Sequence, residues 1–304
     1  MIQCEQNSTA TPLFSIVIPV YNDWLPLEQC LQSLGGQKNA PTFEVIVVDD
    51  GSTEIASEEI RTSAYCYPLT LIRQPHRGIP SARNRGIRTS KGTVLLFADA
   101  DCRLGINCLA ALNSTIAHSP QHDCFQLRLV GNSSSLVGRA EDLRLTTFQS
   151  LMLQPDARIR YLNTAGFAIR RARLGIETDV FDPVALRAED TLLLANLMQV
   201  GELPLFVPDA VVEHAIPLSL MGCLRKDIRS VYLERRAYDI IASKGVKIRV
   251  THRERLRLLW SMWKAAGQDS IGRSAWFVLV VRQAFQRVIS FGYQCLRLGF
   301  AGNV

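Results

Sequence analysis

Three short apolar runs, each closing on a polar or acidic cluster, constrain this chain more than any other feature. Phe14-Ser-Ile-Val-Ile-Pro-Val20 leads into Tyr21-Asn22-Asp23, Phe43 to Val48 into Asp49-Asp50-Gly51-Ser52, and Thr93 to Ala98 into Asp99. Runs of this length, rich in β-branched residues, read as buried strands. Trp24 to Leu34 and residues 79–90 have helical spacing, a further helix is expected from about Thr53, and Leu69 to Arg73 reads as another strand. Strands alternating with helices imply an α/β fold with a doubly wound, mostly parallel sheet, whose ligands sit beyond the carboxyl ends of the strands. The acidic clusters fall at those ends.

After Ala100 the alternation loosens. The pattern predicts a helix near 106–118, a strand near 124–130, a loop over 131–138 and a helix around 143–153, then strands at 165–170 and 205–214 flanking a helix at 189–200. From about Pro217 only helices are expected, over 218–244, 253–266 and 270–298. The expected organisation is a polar tail (1–13), a main α/β domain (14–216) and a basic helical region (217–304). The net charge of +6 conceals this division, because residues 222–304 hold 16 Lys and Arg against 5 Asp and Glu. Such a region attracts anionic partners, and the absence of a nucleic-acid motif argues against DNA or RNA. The apolar run Ser274 to Val281 is interrupted by Arg282 before it can span a bilayer. Residues 270–298 therefore read either as an amphipathic helix making peripheral membrane contact or as a helix packed on the main domain or on a second subunit of a homodimer. The first 15 residues lack a basic start and an apolar stretch, and the eight cysteines form no C-x-x-C pair. Both features point to a cytoplasmic location, at the inner face of the membrane if the helix lies there, and away from zinc or disulfides.

Several clusters can carry chemistry. Carboxylates at i and i+2 of an extended Asp99-Ala100-Asp101 would point the same way, toward a hard cation such as Mn2+ or Mg2+ that neutralises a departing diphosphate. Asp49 or Asp50 can accept a hydrogen bond from a base or ribose, or can simply build a turn. Arg83 lies near a helix start and its guanidinium suits a diphosphate. At Glu189-Asp190, one carboxylate can take a proton from a hydroxyl, or both can cap a helix. His214 reads as a third metal ligand, a phosphate contact or a structural residue.

In order, Phe14 to Asn22, Val45 to Thr53, Gly78-x-x-x-Ala-Arg-Asn-x-Gly86, Leu96 to Asp101, Asn163-Thr-Ala-Gly166, Phe181-Asp182 and Glu189-Asp190 resemble the inverting GT-A glycosyltransferases of family two. The resemblance implies a GT-A catalytic domain with a helical C-terminal extension, a nucleotide-sugar donor, expected to be a UDP-sugar, and Mn2+ or Mg2+. It implies Asp49 or Asp50 at the base with Tyr21 nearby, Arg83 and Asn84 organising the donor side, and Pro19, Asn22 and Ala100 along the donor. Asp99 would contact ribose or metal, Asp101 the metal, His214 the metal and phosphates, and Asp190, beside Glu189, would be the general base. The acceptor would be a hydroxyl of a glycan, a lipid-linked carrier or another molecule, in cell-surface polysaccharide or glycolipid synthesis. Pro183 and Cys102 stand where many relatives carry acids. Two rivals fit less well. A sugar nucleotidyltransferase would need a Gly-rich, Arg-containing loop after the first strand, and a catalytically degenerate scaffold would not need Asp99, Asp101 and Asp190.

Overall fold

The computed structural model describes residues 11–56, 60, 65–175, 179–214, 219–246, 248, 250–267 and 272–301. The chain divides into two compact units. One takes the chain through Val130 together with Met152–His214; the other takes Gly131–Leu151 together with the chain after His214.

The first unit is built on an eight-stranded sheet. Its strands are β1 (Phe14–Val20), β2 (Phe43–Asp49), β3 (Leu69–Arg73), β4 (Val94–Phe97), β5 (Cys102–Leu104), β6 (Cys124–Gly131), β7 (Phe167–Arg170) and β8 (Leu205–His214), in the order β3-β2-β1-β4-β7-β6-β8-β5. Every residue of β1, β2 and β4 is buried, which is why these runs lack polar alternation. β1, β2, β3 and β4 pair in parallel, whereas β4 with β7, β6 with β7 and β5 with β8 pair antiparallel. The expected doubly wound α/β sheet is present, but it is mixed rather than mostly parallel. Pro19 sits inside a central strand without breaking it. The carbonyls of Leu13 and Val17 accept from Val94 N and Ala98 N, so the odd-numbered residues of β1 face β4. β4 ends opposite Val17, and the missing N–H of Pro19 comes where no partner strand remains.

Helices α1 (Trp24–Gly35), α2 (Ile79–Thr89) and α3 (Cys108–His118) follow β1, β3 and β5. α1 buries Trp24, Leu27, Cys30, Leu31 and Leu34 along one stripe. Ala82 of α2 packs on Ile46, Val48 and Ile72. The helix expected from about Thr53 is not formed over 53–56, where Asn22 holds the backbone in a turn; apart from Ile60, its next turns lie outside the described residues. α4 (Leu136–Met152) begins seven residues earlier than expected, because the Ser135 hydroxyl accepts from Gly138 N at 3.0 Å and caps it. A short α5 (Arg171–Leu174) and then α6 (Glu189–Gln199) complete this part of the chain.

In the second unit, α7 (Leu220–Ser243), α8 (His252–Ala266) and α9 (Gly272–Ala301) join α4. Ser219 caps α7, and Thr251 with Glu254 forms a capping box on α8. The core is Ala140, Leu258, Met262, Ala275 and Leu279. Within it lies a buried charge cluster. Arg282 of α9 donates to Asp227 of α7 through Nε (2.9 Å) and Nη2 (2.8 Å), and to Glu141 of α4 through Nη1. Gln286 adds a donor to Asp227 at 2.9 Å, and Arg144 pairs with Glu141. Arg282, which interrupts the apolar run Ser274 to Val281, is thus an interior residue. Burial alone would push the Glu141 carboxyl up, but Arg144 and Arg282 outweigh it and hold it at about 2. Among the described residues, no helix is long and apolar enough to cross a membrane.

Removing one partner leaves a buried charge unpaired, so Asp227→Ala should cost ~3 kcal/mol in thermal or denaturant unfolding. The Glu141 contribution has a defined pH window. Its folded pKa lies below the ordinary value of 4.5, so its stabilisation is present above pH 4.5 and is lost as pH falls toward 2. Calorimetry of wild type and Glu141→Gln across that range should show the two converging at the acid end.

Candidate active site

Arg83 is the centre of the site. It projects from α2 and is 1% exposed, yet it carries a full charge. Nη2 donates to Asp99 Oδ1 and Nη1 to Glu189 Oε1, both at 2.7 Å, and its Cζ lies 5.4 Å from the Phe181 ring centroid. Burial would lower the Arg83 pKa, but Asp99 and Glu189 outweigh it and the net shift is upward. One guanidinium therefore ties the turn after β4 to the first residue of α6.

Asp99-Ala100-Asp101 is a turn, not the extended segment expected, since Cys102 N donates to Asp99 O at 3.1 Å. Its carboxylates diverge. Asp99 faces Arg83, whereas Asp101 Oδ1 lies 3.2 Å from His214 Nε2. Ala100 between them is buried. The β5–β8 register accounts for the second pairing, because Cys102 stands opposite His214. β5 is invisible to sequence periodicity: three residues have no period, and only β8 makes them a strand.

Asp101, Cys102 and His214 bring their ligand atoms within 4.8 Å of one another. The carboxylate oxygen and imidazole nitrogen suit a manganese-type ion. Cys102, the third member of the cluster, is buried and lies 3.7 Å from Ala165 O; burial, then the charges of Asp99 and Asp101, push its thiol well above its usual range. Asp23 is raised by partial burial and then by the negative field of Asp101 and Glu54. Asp101 and His214 are the residues here that could hold a divalent cation, while Asp99 is occupied by Arg83.

Beyond β1 and β2 the sequence-predicted donor residues divide. Tyr21 is 43% exposed, and its ring lies 4.4 Å from that of His76. Asp49 is buried, accepts from Ser52 N at 2.8 Å and faces Arg73 at 3.5 Å. Both carboxylate oxygens of Asp50 are engaged within the protein. Its Oδ1 accepts from Gln74 Nε2 (2.7 Å) and Arg77 N (2.9 Å), and its Oδ2 from Gly78 N (2.8 Å), with His76 Nδ1 at 2.9 Å. It folds the loop entering α2. Both ends of the Asn84 amide pair with the Phe181 backbone, at 2.7 and 3.0 Å. Asn22, at φ +58°, has its carboxamide oxygen occupied by Thr53 N and Glu54 N, and Pro19 is buried in β1. His76 was not singled out by sequence, since a lone histidine in a turn carries no local signal. Gly51 is required beneath it: at φ +79°, a Cβ there would lie 2.7 Å from His76 N.

Glu189 and Asp190 differ in spite of adjacency. Glu189 is held by Arg83, while Asp190 Oδ1 accepts from Thr191 N (2.6 Å) and Oγ1 (3.2 Å). Burial, followed by the neighbouring Glu189 charge, raises the Asp190 carboxyl to about 7, against the opposing effects of Thr191 and Arg83. A carboxyl poised near neutrality can exchange protons at working pH.

The family model for Glycosyl transferase family 2 matches residues 15–175. The chain belongs to that family. Glycosyltransferase AglE of Haloferax volcanii is 37% identical over 98 residues, 31% of this chain and 32% of its own length. Validoxylamine A glucosyltransferase of Streptomyces hygroscopicus subsp. limoneus is 37% identical over 97 residues, 31% of this chain and 21% of its own. The matched stretch thus spans a third or less of these relatives. Among solved structures, S. aureus TarS residues 1–349 in complex with UDP superimposes with a TM-score of 0.56 at 18% identity, covering 92% of this chain and 91% of that one. The mannosyltransferase PcManGT from Pyrobaculum calidifontis, in complex with GDP-Man and Mn2+, gives 0.57 at 18%, covering 96% and 81%. The fold of this family 2 chain is GT-A, with a helical C-terminal part.

The raised Asp190 carboxyl has a stability consequence. Its folded pKa lies above the ordinary 3.8, so stability is fully present below that value and declines as pH rises through the folded pKa near 7. Asp190→Asn should therefore melt above wild type at about pH 8, and the difference should vanish near pH 4.

Proposed function

We propose that this chain is an inverting glycosyltransferase that moves a sugar from a nucleotide-sugar donor, a UDP-sugar, to an acceptor hydroxyl. The observation that carries this reading is the double ion pair of Arg83. It fixes the Asp99–Asp101 turn on one side and Glu189, next to Asp190, on the other. A diphosphate site and a proton acceptor are thereby held in one frame. The UDP complex of TarS supports the choice of donor, and the Mn2+ in PcManGT supports the choice of ion.

Asp101 and His214 would hold Mn2+ or Mg2+, which when bound neutralises charge on a departing diphosphate. Tyr21 offers an exposed ring beside which the donor base can stack. Arg83 engages both Asp99 and Glu189 in ion pairs, so Asp190 remains as the general base. Asp190 takes the proton of the acceptor hydroxyl as that oxygen bonds to the anomeric carbon. The bond to the diphosphate oxygen breaks on the opposite face, and configuration inverts. The acceptor belongs to a glycan or lipid-linked carrier, in cell-surface polysaccharide or glycolipid synthesis at the inner face of a membrane.

Donor binding and turnover separate the two halves of the site. Asp190→Asn should leave nucleotide-induced thermal stabilisation intact and lower kcat by ~10²- to 10⁴-fold. Asp101→Asn should weaken manganese-dependent stabilisation by UDP. If both variants matched wild type in donor affinity and rate, the mechanism would be wrong. The wild-type rate should rise through about pH 7 as Asp190 ionises, and that limb should be absent in Asp190→Asn.

A further inference from the structure

The second unit carries an apolar face that its own core does not use. On α8, Leu256, Trp260 and Trp263 are 68%, 60% and 44% exposed, at i, i+4 and i+7, while Leu258, Met262 and Ala266 of the same helix are buried. On α9, Phe277, Val281 and Val288 are 63%, 49% and 69% exposed, opposite the inward-facing Ala275, Leu279 and Arg282. The two stripes adjoin: Arg273, one turn before Phe277, places its Cζ 5.7 Å from the Trp263 ring centroid. Lys264 Nζ lies 3.5 Å over Trp260. Each helix therefore has one apolar stripe for the core and a second one outside; Trp263 meets Trp276 edge-on at 4.9 Å, while Leu256, Trp260, Phe277, Val281 and Val288 stay largely open to solvent.

We propose that this α8–α9 face is a docking surface for an anionic lipid bilayer. The charges around the stripe select the occupant. Residues 252–288 contain Arg253, Arg255, Arg257, Lys264, Arg273, Arg282 and Arg287 against Glu254 and Asp269. Arg282 is internal, and the Glu254 carboxylate engages the Thr251 cap of α8. The outer face thus combines exposed indoles and aliphatic side chains with arginine and lysine, which suits the boundary between lipid headgroups and acyl chains. A second copy of the chain fits less well. An isologous contact would set this face against itself and bring Lys264, Arg273 and the α8 arginines against like charges. The helices would lie in the interface rather than cross it.

The inference rests on the transferase reading only for its purpose, bringing the site near a lipid-linked acceptor. Binding itself is measured without donor or acceptor, so the two readings fail separately. Full-length protein is sedimented with vesicles of phosphatidylcholine alone and of phosphatidylcholine mixed with phosphatidylglycerol. Wild type should bind the anionic vesicles ~10-fold or more tightly than the neutral ones, with binding weakened by salt and tryptophan emission shifted to the blue. Trp260→Glu with Trp263→Glu should lose ~10-fold or more of that binding and keep UDP-induced thermal stabilisation. Leu256→Glu, at a more exposed position, gives the same readout should the double variant misfold. The proposal is overturned if wild type ignores anionic vesicles, or if correctly folded variants bind them equally well. It is also overturned if these substitutions dissociate a dimer and leave vesicle binding unchanged.

Discussion

The guanidinium of Arg83 is the charge on which the rest of the site depends. Removing it from water is expensive, and burying it beside the Phe181 ring is tolerated because two carboxylates meet it at 2.7 Å. Those carboxylates come from different elements, the turn after β4 and the start of α6. Ionising the pair requires both segments to close on α2, so the electrostatic requirement acts as a geometric one. Lysine could not substitute, since a point charge on a flexible stem does not fix two acceptors at separate nitrogens. Asn84, the next residue, pairs its amide with the Phe181 backbone and holds the chain that leads to Glu189.

β1, β2 and β4 were legible because burial on both faces leaves an uninterrupted apolar run; β3 and β8, only partly buried, nonetheless begin and end where their sequence pattern does. What the pattern omits is pairing. β5 exists through β8, and the mixed sheet follows from later strands whose direction no local run encodes. Residue types at the site were legible, and their partners were less so. Arg83 and Glu189 are 106 residues apart, and Asp50 is occupied by donors from residues 74–78, after the next strand. Two adjacent aspartates at a strand end look equivalent in sequence. In the fold Asp49 faces Ser52 and Arg73, whereas Asp50 organises the loop before α2.

The same principle divides Glu189 from Asp190. Neighbours on a helix point about 100° apart, so only one can meet Arg83. Glu189 does, and its retained negative charge works with burial to raise Asp190. Burial and Glu189 raise the Asp190 carboxyl, while the Arg83 charge that pairs with Glu189 works in the opposite direction.

The arginines of the C-terminal region follow from the same distinction between paired and unpaired charge. Counted together they give a basic tail, yet they belong to two populations. Arg282 is a core residue, held by Asp227 and Glu141 from two other helices, and its bidentate geometry sets the register in which α4, α7 and α9 pack. Neutralised inside, it contributes little to the field outside. The charges that project a long-range field are the exposed ones, among them those flanking Trp260, Trp263 and Phe277 on the side of α8 and α9 that the core leaves uncovered. The basicity of the region thus has two physical origins, one that holds the helices together and one that gives their outer face its sign.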